Sequence, residues 1–439
     1  MHPPLNSAYG CTRAGAGSIG MSGFRFLHAA DIHLDSPLSG LSRYEGLPAD
    51  QLRRATRDAF DNLIEAAIRE AVDFVIIAGD LFDGDWKDMS TGLYFARAMG
   101  RLEAAGIRVF ILKGNHDAES LVTKSLPWPG NVSVFSSRAP QTFDLADLGV
   151  ALHGQSFPTG AVVEDLSAAY PPPTPGRFNI GVLHTALGGY AQHQTYAPCS
   201  VQGLSAKGYD YWALGHVHAQ QVVSDDPYIV FPGNLQGRHA KEIGPKGAML
   251  VEVRDGLVVG VKPLELDVLR WIAVEADCTD ATTLPDIHER VRSQLIKVRI
   301  QDAGDRQAVF RLTLTGQTAL SGLLSDRRDA LRDEVCAIAE ALGDLWLEKL
   351  IVRTIPPQEL TLGGGDDASG LVDEALGEPE LLQLLESELK PFLDAVPQDD
   401  GDLDGLRAAA RDGDWDTVLA AASLALKTRL APGGADADR

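Results

Sequence analysis

Five short stretches of the chain carry side chains suited to gripping cations: Asp31-x-His33, Gly79-Asp80, Gly114-Asn115-His116-Asp117, a lone His184, and Gly215-His216-Val217-His218. The candidate metal ligands Asp31, His33, Asp80, Asn115, His184, His216 and His218 offer only oxygen or imidazole, the donors of Mn, Fe and Zn sites, and no sulfur is needed. On extended chain, residues two apart leave the backbone on one face, so Asp31 with His33, and His216 with His218, can each hold one ion. Glycines ahead of Asp80, Asn115 and His216 let the backbone turn sharply beneath an ion. So many groups exceed the needs of one metal. They suit two divalent cations bridged by a carboxylate, and Asp80 is the expected bridge. A cation pair of this kind is the usual clamp for phosphoester hydrolysis: an activated water attacks phosphorus in line, and the departing alkoxide needs a proton. His116, next to a ligand, is the expected catalytic donor, and Asp117 is the catalytic residue expected to orient it. Taken singly, each motif is more often a turn, surface chemistry or a satisfied histidine; the conjunction, in order and at strand ends, is what points to chemistry.

The elements that must position these groups follow from hydrophobic periodicity. FRFLHAAD, a helical stretch near 49–71, DFVIIAGD, a second helix near 88–105 and IRVFILKGNHD alternate as strand, helix, strand, helix, strand, the pattern of parallel βαβ units. In open α/β sheets ligands bind at the carboxyl ends of strands, so the polar strand ends are expected to converge on one crevice. Beyond about residue 130, FNIGVLH, DYWALGHVHAQQVV, PYIVFPGN and GAMLVEVRDGLVVGVKPLEL read as a second sheet, with Asp255-Gly256 as a hairpin turn. The expected product is an α/β fold, a two-sheet βαβ sandwich.

From Arg270, RWIAVEA, a helix over about 281–298, AVFRLTLTG, a helix over about 319–342 and LWLEKLIVRT suggest a small α+β cap, ferredoxin-like or related. Gly363 to Gly365 mark a linker, after which ELLQLLESELKPFL and residues 403–430 read as amphipathic helices on an acidic tail. The expected organisation is a disordered leader over 1–22, a dimetal phosphoesterase domain over 23–266, an α+β cap over 267–357, and an acidic linker with a helical partner-docking region over 358–439.

Composition narrows the class further. In 439 residues, 45% hydrophobic and 23% charged side chains exclude collagen-like, coiled-coil and wholly disordered chains. The four cysteines are far apart and form no zinc or disulfide pattern, which suits a reducing cytosol. No apolar run approaches the roughly 20 residues of a membrane span. A net charge of -22 runs against the Lys and Arg that phosphate binding uses, but 18 of the 61 acidic and only 6 of the 39 basic residues lie in 361–439. Much of the excess is therefore in the tail, and bound cations would reverse part of the rest.

The five-part pattern, present without a gap over about 24–240, resembles the calcineurin-like metallophosphoesterase superfamily. Within it, HAADIHLDSPLSGL, AGDLFD, and ALGHVH followed by FPGNLQGRHAKEIGPKG are similar to SbcD-type DNA repair exonucleases of the YhaO-like branch. The resemblance implies a metallophosphoesterase-type fold with two Mn²⁺, one held by Asp31, His33, Asp80 and His218, the other by Asp80, Asn115, His184 and His216, with His116 catalytic. It also implies a cytoplasmic DNA exonuclease, with endonuclease activity as a further expectation, that forms a homodimer and docks an SbcC-like coiled-coil ATPase through its C-terminal helices. No Walker A sequence occurs here, so ATP hydrolysis would belong to that partner. Some relatives carry histidine three residues after the bridging Asp; this chain has Asp83, expected to cap the next helix.

Other polar residues have plainer readings. Asp35 and Ser36 suit a groove or a turn equally, while Arg53, Arg54 and Arg57 read as a solvated helix face and Arg238, His239 and Lys241 as a loop that contacts DNA. His28 and His153 read as structural histidines, His193 and His288 as surface ones. Two rivals use the same residues differently: a small-molecule or cyclic-nucleotide phosphodiesterase, which has no need of cap and tail, and a scaffold without metal.

Overall fold

The structure is a computed structural model that describes residues 23–36, 49–83, 89–119, 128–188 and 197–357, with short stretches between 409 and 423. The expected leader, most of the C-terminal docking region and His193 lie outside the described residues, as does the side chain of Arg53. The chain divides into two compact units, one of residues 1–36, 54–236 and 246–266, the other of 37–53, 237–245 and 267–439.

In the first unit, β1 (Phe24–Ala29), α1 (Ala49–Arg69), β2 (Phe74–Ala78), α2 (Met89–Ala104), β3 (Arg108–Leu112), the single-turn α3 (Asn115–Glu119) and β4 (Val132–Val134) follow one another. β1 to β4 are parallel neighbours. FVIIA in β2 is buried throughout, as expected of a parallel strand covered on both faces. β5 (Gln141–Leu145), β6 (Val150–Gly154), β7 (Phe178–His184), the short helix α4 (Val201–Ala206), β8 (Tyr211–Gly215), β9 (Gln221–Asp225) and β10 (Tyr228–Phe231) build the second sheet in the order β5-β6-β7-β8-β10-β9. β11 (Gly247–Arg254) and β12 (Leu257–Glu265) then return to the first sheet, where β11 lies antiparallel to β1. The expectation that GAMLVEVRDGLVVGVKPLEL joins the second sheet therefore fails, since it forms β11 and β12. The Asp255-Gly256 hairpin forms, with φ of 51° and 77°, but it closes an edge of the first sheet.

Alternation along β1 explains the layering. Phe24 and Phe26 point between the sheets, where they join Phe74, Phe110, Ile180, Val182 and Tyr211. Leu27 and Ala29 point outward to meet Phe60, Leu63 and Ile64 of α1 and Phe95, Met99 and Leu102 of α2. On the far side, Trp212 and Leu214 of β8 and Phe231 of β10 pack under Leu204 of α4. Four layers result: helices, sheet, sheet, helices.

The second unit holds β13 (Leu269–Asp277), α5 (Leu284–Lys297), β14 (Gln307–Thr315), α6 (Ser321–Asp326), α7 (Arg328–Leu342) and β15 (Leu345–Val352). Its three strands are all parallel and in sequence order, which corrects the ferredoxin-like expectation, a fold built on antiparallel pairs. Ile287, Val291 and Leu295 of α5 and Leu331, Val335 and Ile338 of α7 bury against Phe310, Leu312 and Leu314. Thr283 starts α5 with a reciprocal capping box to Asp286.

Candidate metal centre

The strands of both sheets release their ligand-bearing residues at their carboxyl ends. β1 leads to Asp31 and His33, β2 to Asp80, β3 to Asn115 and His116, β7 ends on His184 and β8 leads to His216 and His218. The backbone here is unusual: Asp31, His33, Asp80 and His216 have φ of 50°, 45°, 53° and 96°, a left-handed region that residues with a side chain seldom occupy. Hydrogen bonds from Asp31 N to Gly79 O (3.0 Å) and from His33 N to Asp80 O (3.0 Å) tie the β1 and β2 exits together.

All seven sequence-nominated ligands lie in the first unit, and their donor atoms draw together. One group of oxygen and nitrogen atoms mutually within 4.8 Å comes from Asp31, His33 and His218; a second from Asp31, Asp80 and His184; a third from His33, Asp80 and His116. Asp31, His33 and Asp80 each belong to two of these groups, and Asp80 Oδ2 stands 3.9 Å from His33 Nε2 and 3.4 Å from His184 Nε2. On one flank His218 Nε2 is 3.7 Å from Asp31 Oδ1. On the other, Asn115 Oδ1 is 3.0 Å from His184 Nε2, and the His184 and His216 rings are 5.2 Å apart.

Three observations fit this donor set to a pair of divalent cations. His184 Nδ1 donates to the carbonyl of Ala78 at 3.0 Å, which fixes the tautomer and leaves Nε2 facing the carboxylates, as histidine ligands do. Burial by itself would lower the pKa of His184, yet the Asp80 and Asp31 carboxylates raise it to about 9: the site draws positive charge. Burial likewise acts to raise Asp80, but His184, His33 and His116 hold it well below the usual carboxylate range. The glycines also prove to be spacers. A Cβ on Gly79 would strike the His184 ring, one on Gly114 would strike the Asp80 carboxylate, and one on Gly215 would strike the Ala78 carbonyl.

His116 stands apart from the buried ligands, its side chain 42% exposed. The carboxylate at its Nδ1 is Asp83, at 2.8 Å, whose same oxygen lies 3.4 Å from His33 Nδ1. Asp83, expected to cap the next helix, thus lies against two imidazoles, at the His116 ring nitrogen where Asp117 was expected. Asp117 is buried and accepts from the backbone N–H groups of Leu81 (3.1 Å), Phe82 (2.9 Å) and Gly114 (3.1 Å), which ties the β2 and β3 exits together. Burial and the neighbouring Asp80 push its pKa up, and those three donors pull it down. Burial would also raise Asp83, but hydrogen bonds from His116 and His33 hold it far below its ordinary value.

Arg238, His239 and Lys241 belong to the second compact unit. There Arg238 N donates to Glu242 Oε2 at 2.6 Å and His239 Nε2 lies 3.5 Å from Glu242 Oε1. Arg57, half-buried, pairs with Asp35 at 2.5 Å. His28 bridges the two sheets through Tyr211 Oη (3.1 Å) and Leu214 O (3.0 Å), while His153 bonds Thr142 and Asn179; both are structural. His288 pairs with Glu334 on the second unit's helices. Sequence reasoning missed Lys246, a buried side chain whose ammonium donates to the His218 carbonyl at 3.1 Å. Its only signal was a lysine between Pro245 and Gly247 just ahead of β11.

Comparison with known proteins matches residues 24–220 to the family described as calcineurin-like phosphoesterase, and residues 271–355 to the middle domain of metallophosphoesterase YhaO. An uncharacterized metallophosphoesterase YhaO of Bacillus subtilis is 35% identical over 369 residues, covering 82% of this chain and 89% of that protein. The DNA double-strand break repair protein Mre11 of Methanopyrus kandleri is 26% identical over 317 residues, 64% of this chain and 65% of its own. That of Sulfurisphaera tokodaii is 24% identical over 319 residues, covering 69% and 76%.

Proposed function

This chain belongs to the calcineurin-like metallophosphoesterases, in the YhaO branch, and on that premise we propose that it is a Mn²⁺-dependent DNA exonuclease of repair, with endonuclease activity on the same site. The hydrolase class follows from the family; the observation that carries the phosphodiester chemistry is the half-exposed His116 imidazole, held by Asp83 beside a buried cluster of oxygen and imidazole donors. The sequence kinship to two DNA double-strand break repair proteins favours DNA over a small phosphodiester.

Asp31, His33, Asp80 and His218 would hold one cation, and Asp80, Asn115, His184 and His216 the other. When bound, such a pair supplies Lewis-acid activation of water and neutralises charge on the phosphoryl group. The chain's own residues do the rest. Asp83 stays ionised, accepts a hydrogen bond from the His116 Nδ1–H, and so stabilises the imidazolium whose Nε2 proton passes to the leaving alkoxide. The left-handed strand exits keep the buried donors in place before substrate arrives.

In this reading residues 23–266 are the phosphoesterase domain, 267–357 the α+β cap domain, and 358–439 dock an SbcC-like ATPase, with the chain acting in the cytoplasm as a homodimer. No helix among the described residues is long and apolar enough to cross a membrane. End-labelled linear duplex and single-stranded DNA, incubated with the full chain with and without Mn²⁺, tests the proposal. A product ladder that needs Mn²⁺ supports it. Robust turnover of cyclic nucleotides with intact DNA would replace it with the small-substrate reading.

A further inference from the structure

We propose that Asp35, Arg57 and Thr91 form a positioning clamp that holds the Asp31–His33 hook and thereby sets the affinity of the cation position made with His218. The inference rests on the dimetal reading above.

The hook needs such a device. Asp31, His33 and Asp35 take φ of 50°, 45° and 65°, so every second residue of this short run is left-handed, and none is glycine. Ile32 and Leu34, between them, are buried in the core beneath α1 and α2. A backbone bent this way relaxes unless its surroundings over-determine it.

Those surroundings are specific. The Asp35 carboxylate accepts from Arg57 Nε and Nη2, both at 2.5 Å, a two-pronged ion pair, and also from the Thr91 hydroxyl. The Asp35 N–H donates to Thr56 Oγ1 at 3.1 Å. Ser36 N returns to the His33 carbonyl at 2.9 Å and closes the turn. Arg57 is itself held: its guanidinium lies 4.9 Å over the Tyr94 ring, and the Tyr94 hydroxyl donates to the Arg57 carbonyl at 2.9 Å. Thr56 and Arg57 come from α1, Thr91 and Tyr94 from α2, and Asp35, Thr56 and Thr91 are buried. Both helices thus grip the residue two positions beyond His33.

The clamp is lopsided. Asn115, His184 and His216, the ligands of the other flank, leave from the ends of β3, β7 and β8. Loosening the clamp should therefore weaken one cation position and spare the other, a selectivity that a merely structural ion pair would not show.

Calorimetric titration of the full chain with Mn²⁺, on wild type and on Asp35→Asn, Arg57→Lys and Thr91→Val, tests this. Arg57→Lys keeps the charge but loses the fork, and Thr91→Val keeps the shape but loses the hydroxyl, so both guard against a fold lost in Asp35→Asn. The expected result is two Mn²⁺ in wild type, and in the variants one position weakened by about 10- to 100-fold with the other unchanged. Variants that bind both ions as wild type does, or that lose both together in step with a lowered apo melting temperature, overturn the clamp while leaving the dimetal reading intact. A wild-type chain that takes up no Mn²⁺ overturns both.

Discussion

The carboxyl edge of the first unit and the turns of the second use the same left-handed backbone to opposite ends. In the second unit Asp280 and Asp344, at φ of 60° and 55°, are exposed and reverse the chain after β13 and ahead of β15. In the first, Asp31, His33, Asp80 and His216 are buried, and their side chains are the candidate ligands. At a surface turn a left-handed Asp is ordinary local chemistry. Buried at a strand end, with glycines leaving room for its neighbours, it is strain that the surrounding packing must hold, and such strain gathers where a protein does its work.

If that contrast is right, substitutions at the edge should damage chemistry out of proportion to stability, and substitutions in the second unit the reverse. The largest effect is expected for His116→Ala, which should lower kcat on a DNA or aryl phosphodiester substrate by about 10²- to 10⁴-fold while Mn²⁺ binding stays near wild type. Activity that survives this change would remove His116 as the proton donor. Asp83→Asn should follow at about 10- to 100-fold in kcat, with KM little altered, because it acts through the His116 ring; an equal loss in Asp117→Asn with none in Asp83→Asn would return the orienting part to Asp117.

Behind the edge, His28 links the two sheets and burial lowers its pKa to about 3, against an unfolded value of 6.5. The folded protein binds this proton less readily than the unfolded chain, so stability falls as pH drops below 6.5 and goes on falling toward 3. Between pH 7 and 5 this group should account for about 2 kcal/mol, a slope that His28→Gln flattens in denaturant melts. The smallest effect belongs to the second unit: Thr283→Ala, which breaks the α5 capping box, should cost about 1 kcal/mol in thermal melts and leave phosphodiesterase activity unchanged. A loss of activity there without unfolding would blur the contrast.

Much of the site was legible because metal ligation leaves a local trace. Asp31-x-His33, Gly-Asp80, Gly-Asn115-His116, His184 and Gly-His216-x-His218 each announce a donor at a strand end, and apolar runs such as FVIIA and RVFIL announce the strands. What stayed hidden depends on pairing across sequence. Nothing local distinguishes an Asp83 that caps a helix from one that holds His116, or an Arg57 on a wet face from one folded onto Asp35 over 22 positions. The return of β11 and β12 to the first sheet is likewise a choice of partner, invisible in an alternating strand pattern. The break between α6 and α7 at Arg327 has no glycine or proline to mark it, and the helical period runs through it. Parallel pairing in the second unit could not be told from a mixed sheet, because strand–helix–strand order permits both.

The most direct test of the central claim is metal stoichiometry by equilibrium dialysis against Mn²⁺, on wild type and Asp80→Asn side by side. Two ions per wild-type chain, and loss of tight binding at both positions when the shared carboxylate goes, is the expected result. One ion or none in wild type, or two retained tightly by Asp80→Asn, would contradict it.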